Sequence, residues 1–116
     1  MNEEIIWDFL YQKTGNPYGT AAIMGNLFAE SSLNPKCRTG NTDLTVEEYT
    51  RSADKGLINF TKDYVAYGIA QWRYWSRKEN LLNYAKSSGT SVGKLETQLN
   101  FMWQEIPKYK TVFNAI

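Results

Sequence analysis

Residues 21–35 read Ala21-Ala22-Ile23-Met24-Gly25-Asn26-Leu27-Phe28-Ala29-Glu30-Ser31-Ser32-Leu33-Asn34-Pro35. The apolar residues Ile23, Met24, Leu27 and Phe28 recur at helical spacing, so the stretch predicts an amphipathic helix. It ends by Leu33-Asn34-Pro35, because the residue before a proline avoids the α region. At about 100° per residue, Glu30 falls roughly 20° around that helix from Ile23, at the edge of the apolar stripe. A carboxylate there is expected to be partly desolvated, which favours its neutral, proton-donating form. An acid of that kind can protonate a leaving oxygen. The plain alternative is a half-exposed boundary residue, since Glu is a good helix former.

Outward from this helix, the pattern stays mostly helical. Upstream, Ile5, Ile6, Phe9 and Leu10 repeat at helical spacing, with Glu3 and Glu4 in the favourable first turn and Gly15 as the stop. Asn16-Pro17 opens the second helix. Lys36 to Leu44 is polar and reads as loop. Thr45-Val46-Glu47-Glu48 fits a capping box for a short third helix closed by Gly56. Leu57 to Trp72 has no helical period and suits a short strand pair or an irregular wall. Ser76-Arg77-Lys78-Glu79 reads as a second capping box, for a fourth helix stopping at Gly89. Val92, Leu95, Leu99, Met102 and Ile106 mark a fifth helix that Pro107 breaks. Tyr109, Val112 and Phe113 suit a final short turn. The expected fold class is α+β, mainly α: about five helices and one short irregular or β segment.

Composition narrows the chemistry. The 116 residues, 42% hydrophobic and 15% aromatic, suit one domain with a real core. The formal net charge of +1 gives no global field for nucleic acid or a membrane surface. With no histidine, Ser-His-Asp triads, Cys-His pairs and His-ligated metals are excluded; with Cys37 alone, so is an intrachain disulfide. Catalysis must come from carboxylates, Lys, Tyr or Gln. Met1-Asn2-Glu3-Glu4 lacks a basic signal-peptide start, and no apolar run approaches membrane-spanning length. Another agent is therefore expected to release the chain, or it is one domain, residues 1–116, of a longer protein. The end at Asn114-Ala115-Ile116 carries no stop signal.

Tyr67-Gly68-Ile69-Ala70-Gln71-Trp72, followed by Trp75-Ser76-Arg77-Lys78, supplies the second decisive segment. Together with Glu30-Ser31-Ser32-Leu33-Asn34-Pro35 it resembles the phage tail lysozyme family, the peptidoglycan-cleaving domains of phage tail proteins and endolysins. That family lies in the lysozyme-like group with goose-type lysozymes and soluble lytic transglycosylases. The resemblance covers roughly residues 3 to 106. It implies a lysozyme-like fold and cleavage of the β-1,4 bond between N-acetylmuramic acid and N-acetylglucosamine, with Glu30 as general acid. It puts Ser31 behind Glu30, and Gly68, Ile69 and Gln71 on the groove wall. Ala70 departs from the transglycosylase pattern, which usually has Met there.

Each further role has a plainer counterpart. Ser31 suits either a hydrogen bond to the acid or substrate, or a helix-end cap. The Gln71 amide suits an N-acetyl group or a positioned water. Gly68 permits a close backbone approach or a positive φ. Tyr67, Trp72, Tyr74 and Trp75 are too dense for all to face a core, so one or two serve as sugar platforms, with Tyr67, Trp72 and Trp75 as substrate-binding candidates. A hydrolase usually adds a second carboxylate; Asp63, five residues before Gly68, is the choice, against the alternative that none is essential. Cys37 has no base beside it and reads as incidental.

The rival with the same residues is a lytic transglycosylase giving 1,6-anhydromuramic products. The rival from another class is a non-catalytic wall-binding module. Peptidoglycan glycan strands are the expected partner, at the bacterial cell wall, alongside fused wall-binding or peptidase domains or a phage tail assembly. No metal or organic cofactor, no nucleic acid and no membrane insertion are expected.

Overall fold

A computed structural model describes residues 2–106 of the protein. Five helices run in chain order: α1 (Asn2–Thr14), α2 (Pro17–Ser31), α3 (Val46–Asp54), α4 (Trp75–Ser87) and α5 (Leu95–Glu105). Strands β1 (Arg38–Thr39) and β2 (Ala66–Tyr67) pair antiparallel, Arg38 opposite Tyr67 and Thr39 opposite Ala66. The class is α+β, mainly α, as the periodicity predicts. The expected turn at Tyr109, Val112 and Phe113 lies outside the described residues.

Local chemistry sets several helix ends. The Asn16 side chain accepts hydrogen bonds from the Tyr18 and Gly19 amides at 2.8 and 3.2 Å, and Pro17 occupies the first turn of α2. The Thr45 hydroxyl accepts from the Glu48 amide at 3.1 Å, while the Glu48 carboxylate accepts from the Thr45 amide at 3.0 Å. Both arms of the predicted capping box at α3 are thus formed.

Tertiary contacts override the local signal elsewhere. The box expected at Ser76 does not form: α4 begins at Trp75, and its N-cap Tyr74 offers no side-chain bond. Burial of Lys78, Leu81 and Ala85 sets the helix register, and the Lys78 amide bonds to the Tyr74 carbonyl at 3.0 Å, two residues earlier than the Ser76 signal suggests. The fifth helix starts at Leu95, not Val92. Val92 is buried ahead of it, its amide held by the Asp54 carboxylate at 2.8 Å and its carbonyl by the Gln98 side chain at 2.7 Å. The strand pair also differs: β2 lies within residues 57–72, but its partner β1 comes from the stretch read as loop. The buried stripe of α2 is Thr20, Ile23, Leu27 and Ser31, rotated from the predicted one; Phe28 is 60% exposed.

The core joins Ile6 and Leu10 of α1 to Ile23 and Leu27 of α2, and to Leu81, Leu99 and Met102 of α4 and α5. Tyr49, Phe60 and Tyr67 belong to the same core and pack as a ring cluster, with centroids 5.5 to 5.9 Å apart. Buried rings at this spacing add to the stability that their area alone supplies.

Candidate active site

Glu30 stands on the last turn of α2, with an exposed side chain that has no hydrogen bond or ion pair among the described residues. The partial burial expected of it is absent, because the stripe rotates so that Ser31 faces inward instead. Ser31 is 3% exposed, and its hydroxyl lies 3.0 Å from the Leu27 carbonyl and 2.8 Å from the Ile69 carbonyl. The helix then stops abruptly: Ser32 and Leu33 both take positive φ, 54° and 63°. A bulky residue rarely adopts that conformation, and burial of Leu33 at 5% exposure holds it there.

Ile69 belongs to a tight hairpin. Tyr67 and Trp72 exchange backbone hydrogen bonds at 2.9 and 2.8 Å, closing the loop Gly68-Ile69-Ala70-Gln71. Gly68 has φ +91°, and a Cβ there would sit 2.8 Å from the Trp72 ring and 3.0 Å from Gln98 Oε1. The close approach that requires glycine is therefore made by Trp72. Gln71, also at positive φ, spends its amide on the protein: Nε2 donates to the Cys37 and Gly68 carbonyls at 3.0 and 2.8 Å, and Oε1 accepts from the Thr39 hydroxyl at 2.7 Å. It links β1 to the hairpin and stays half-buried, with one Oε1 lone pair unspent.

The two segments singled out in the sequence are thus joined through Ser31 and Ile69. A family model described as phage tail lysozyme matches residues 1–116, the whole chain. The chain belongs to the phage tail lysozyme family. Membership points to a lysozyme-type hydrolase that degrades peptidoglycan at the bacterial cell wall. No curated protein and no solved structure matches the chain significantly. No helix among the described residues is long and apolar enough to cross a membrane.

In this lysozyme-family domain the aromatic candidates divide cleanly. Tyr67, Ile69 and Trp72 are 0% exposed, so their side chains cannot present a face to a glycan as the sequence reading expects. The Tyr67 hydroxyl is hydrogen-bonded to Thr50, and burial pushes its ionisation upward. The Trp72 indole donates to Glu105 at 2.7 Å, and Arg77 holds the same carboxylate in a two-pronged grip at 2.8 and 2.9 Å. Trp75 and Tyr74, by contrast, are 46% and 64% exposed.

Asp63 is committed inward. Its carboxylate accepts from the Lys78 ammonium at 2.7 Å, the Tyr49 hydroxyl at 2.5 Å and the Val65 amide at 3.0 Å. Lys78 is fully buried and also donates to the Tyr49 hydroxyl and the Val65 carbonyl at 2.9 and 2.8 Å. Burial lowers the Lys78 pKa, opposed by Asp63, while burial and then Asp63 raise that of Tyr49.

Gln98 was not among the sequence candidates, yet it organises the site. Fully buried, it accepts from the Ile69 amide at 2.9 Å and donates to the Pro35 and Val92 carbonyls at 2.7 Å each. It therefore ties the hairpin to the chain leaving α2. The available signal was its spacing: Gln98 sits three residues after Leu95, on the apolar stripe of α5.

Proposed function

We propose that this domain cleaves the β-1,4 bond between N-acetylmuramic acid and N-acetylglucosamine, with Glu30 as general acid. One observation carries the reading: Glu30 keeps an uncommitted carboxyl on a helix end that the adjacent Ser31 fixes to the hairpin. Such a group is free to meet substrate while its backbone is held. Glu30 gives its proton to the glycosidic oxygen, the N-acetylglucosamine 4-hydroxyl departs, and positive charge develops at the muramic C1; water adds there and returns a proton to the Glu30 carboxylate.

Ser31 and Gln98 position the acid and the hairpin rather than touch sugar. Exposed Trp75 and the unspent lone pair of Gln71 remain for substrate. Asp63 is assigned to the fold, since three protein donors already occupy it.

That last point favours a second reading with the same acid. With Asp63 occupied by protein donors, the muramic 6-hydroxyl attacks C1, Glu30 takes its proton, and a 1,6-anhydro product leaves. A phage tail or endolysin setting, with fused wall-binding or peptidase domains, suits either reaction.

Mass spectrometry of soluble products from Gram-positive peptidoglycan, treated with wild type and Glu30→Gln, tests both. Reducing muropeptides lost in the variant establish the hydrolase. Products lighter by one water, with anhydromuramic ends, establish the transglycosylase. No release by wild type, despite folding and glycan binding, overturns cleavage and leaves a wall-binding module.

A further inference from the structure

Tyr64, Tyr74 and Trp75 are 82%, 64% and 46% exposed, and with Thr61, Lys62 and Arg73 they line an open cleft of about 610 Å³. The Tyr74 and Trp75 rings lie 6.2 Å apart at 35°, and the Lys62 ammonium sits 5.7 Å from the Trp75 centroid. Three large rings left in water at one place mark a contact surface rather than scattered exposure.

The charge in the cleft is one-sided. Neither the Lys62 nor the Arg73 side chain has a hydrogen bond or ion pair among the described residues, and no acidic residue lines the walls. Asp63, which separates Lys62 from Tyr64 in sequence, turns its carboxylate inward onto Lys78. The cleft thus combines flat apolar faces with two uncompensated cations, one of them a guanidinium suited to two-pronged pairing with an oxyanion.

A ligand matching both features carries a pyranose ring, whose C–H face lies on an aromatic side chain, and carboxylates a short distance from it. We propose that the cleft is a muropeptide subsite, in which a sugar ring stacks on Trp75 while Lys62 and Arg73 pair with carboxylates of the attached stem peptide. The assignment rests on peptidoglycan being the substrate. It adds that the domain prefers glycan bearing peptide stems to stripped glycan. A polyol-phosphate wall polymer would satisfy the two cations but leave the three rings without a partner, so it fits less well.

Isothermal titration of the full chain with a muramyl disaccharide carrying its pentapeptide, and with the same disaccharide lacking peptide, tests the proposal. Exposed ion pairs are individually weak, so two of them predict a preference of about fivefold for the stem-bearing ligand. Lys62→Gln/Arg73→Gln removes the preference while both ligands still bind, and added salt shrinks the wild-type preference. Both side chains are exposed, and Lys62 meets only the exposed Trp75 ring, so the variant keeps its fold. Equal affinities in wild type, a preference surviving in the double variant, or competition by a polyol-phosphate polymer but not by muropeptide overturns the proposal. Binding is read apart from turnover, so a failure of Glu30 catalysis leaves this test intact, and absence of the preference in wild type with cleavage intact sinks the subsite alone.

Discussion

The Ser31 hydroxyl lies 2.8 Å from the Ile69 carbonyl, joining the residue after Glu30 to a hairpin 38 positions further along the chain. Gln98 completes the joint by accepting from the amide of the same Ile69 at 2.9 Å. Both polar groups of one buried residue are thereby taken by side chains from two different helices. A four-residue loop is held in register with the end of α2, although neither segment is long enough to fix the other by strand pairing.

Ser31→Ala leaves the Ile69 carbonyl buried without its partner. Orphaning one buried acceptor costs about 1–3 kcal/mol. Thermal unfolding should move down by several degrees, and kcat for glycan release should fall more than KM rises, because the acid loses alignment rather than a substrate contact. A variant with wild-type kcat per folded molecule would reduce the Ser31 bond to ordinary helix-end capping.

Gln98→Leu removes three hydrogen bonds at once and orphans the Ile69 amide and the Pro35 and Val92 carbonyls. Leu is close to Gln in volume, so the loss is polar rather than a cavity. A destabilisation of at least ~3 kcal/mol is expected, larger than for Ser31→Ala, and readable as a lower denaturation midpoint in urea.

Asp63→Asn separates a fold role from a catalytic one. Lys78 is fully buried, so weakening its counter-charge leaves an ammonium poorly compensated, at a cost of up to ~3–5 kcal/mol. Asp63→Asn/Lys78→Met, which removes both charges, should recover part of that stability. Activity per folded molecule, measured well below the unfolding transition, should stay within a few-fold of wild type. A loss of about a hundredfold or more in the single variant, with the fold intact, would restore Asp63 as the second carboxylate.

Legibility in the sequence followed the range of the interaction. Asn16-Pro17 and Thr45-Val46-Glu47-Glu48 were readable because a cap is completed within three residues. Ser76-Arg77-Lys78-Glu79 has the same form and failed, because Lys78 buries its ammonium against Asp63 and Val65, and that long-range contact sets where α4 begins. Glu105 and Gln98 occupy apolar-stripe positions of α5, three residues after Met102 and Leu95. Their partners Trp72, Arg77, Pro35 and Ile69 lie 28 or more residues away. The family motif marked the hairpin that Ser31 and Gln98 hold but gave no side-chain direction. Tyr67 and Trp72 therefore read as platforms although they face the core, while Tyr64 was passed over.

Alkaline pH should unfold the domain through its buried phenols. Tyr49 and Tyr67 have pKa values raised chiefly by burial, so the folded state keeps their protons while the unfolded chain releases them near pH 10. Their contribution is complete below pH 10 and is lost as pH rises, each at about 1.4 kcal/mol per pH unit. Lys78 acts in the opposite sense. Its lowered pKa means that the folded state gives up that proton first, so stability rises with pH until the unfolded value near 10.4 and then levels off. Melting temperature should therefore rise gently towards about pH 10 as Lys78 acts alone, and fall steeply above 10.4, where only the tyrosines still act. Tyr67→Phe, although it sacrifices the bond to Thr50, should roughly halve that slope. Melting curves from pH 9 to about 11.5 that stay parallel for wild type and variant would show that Tyr67 ionises without unfolding the core.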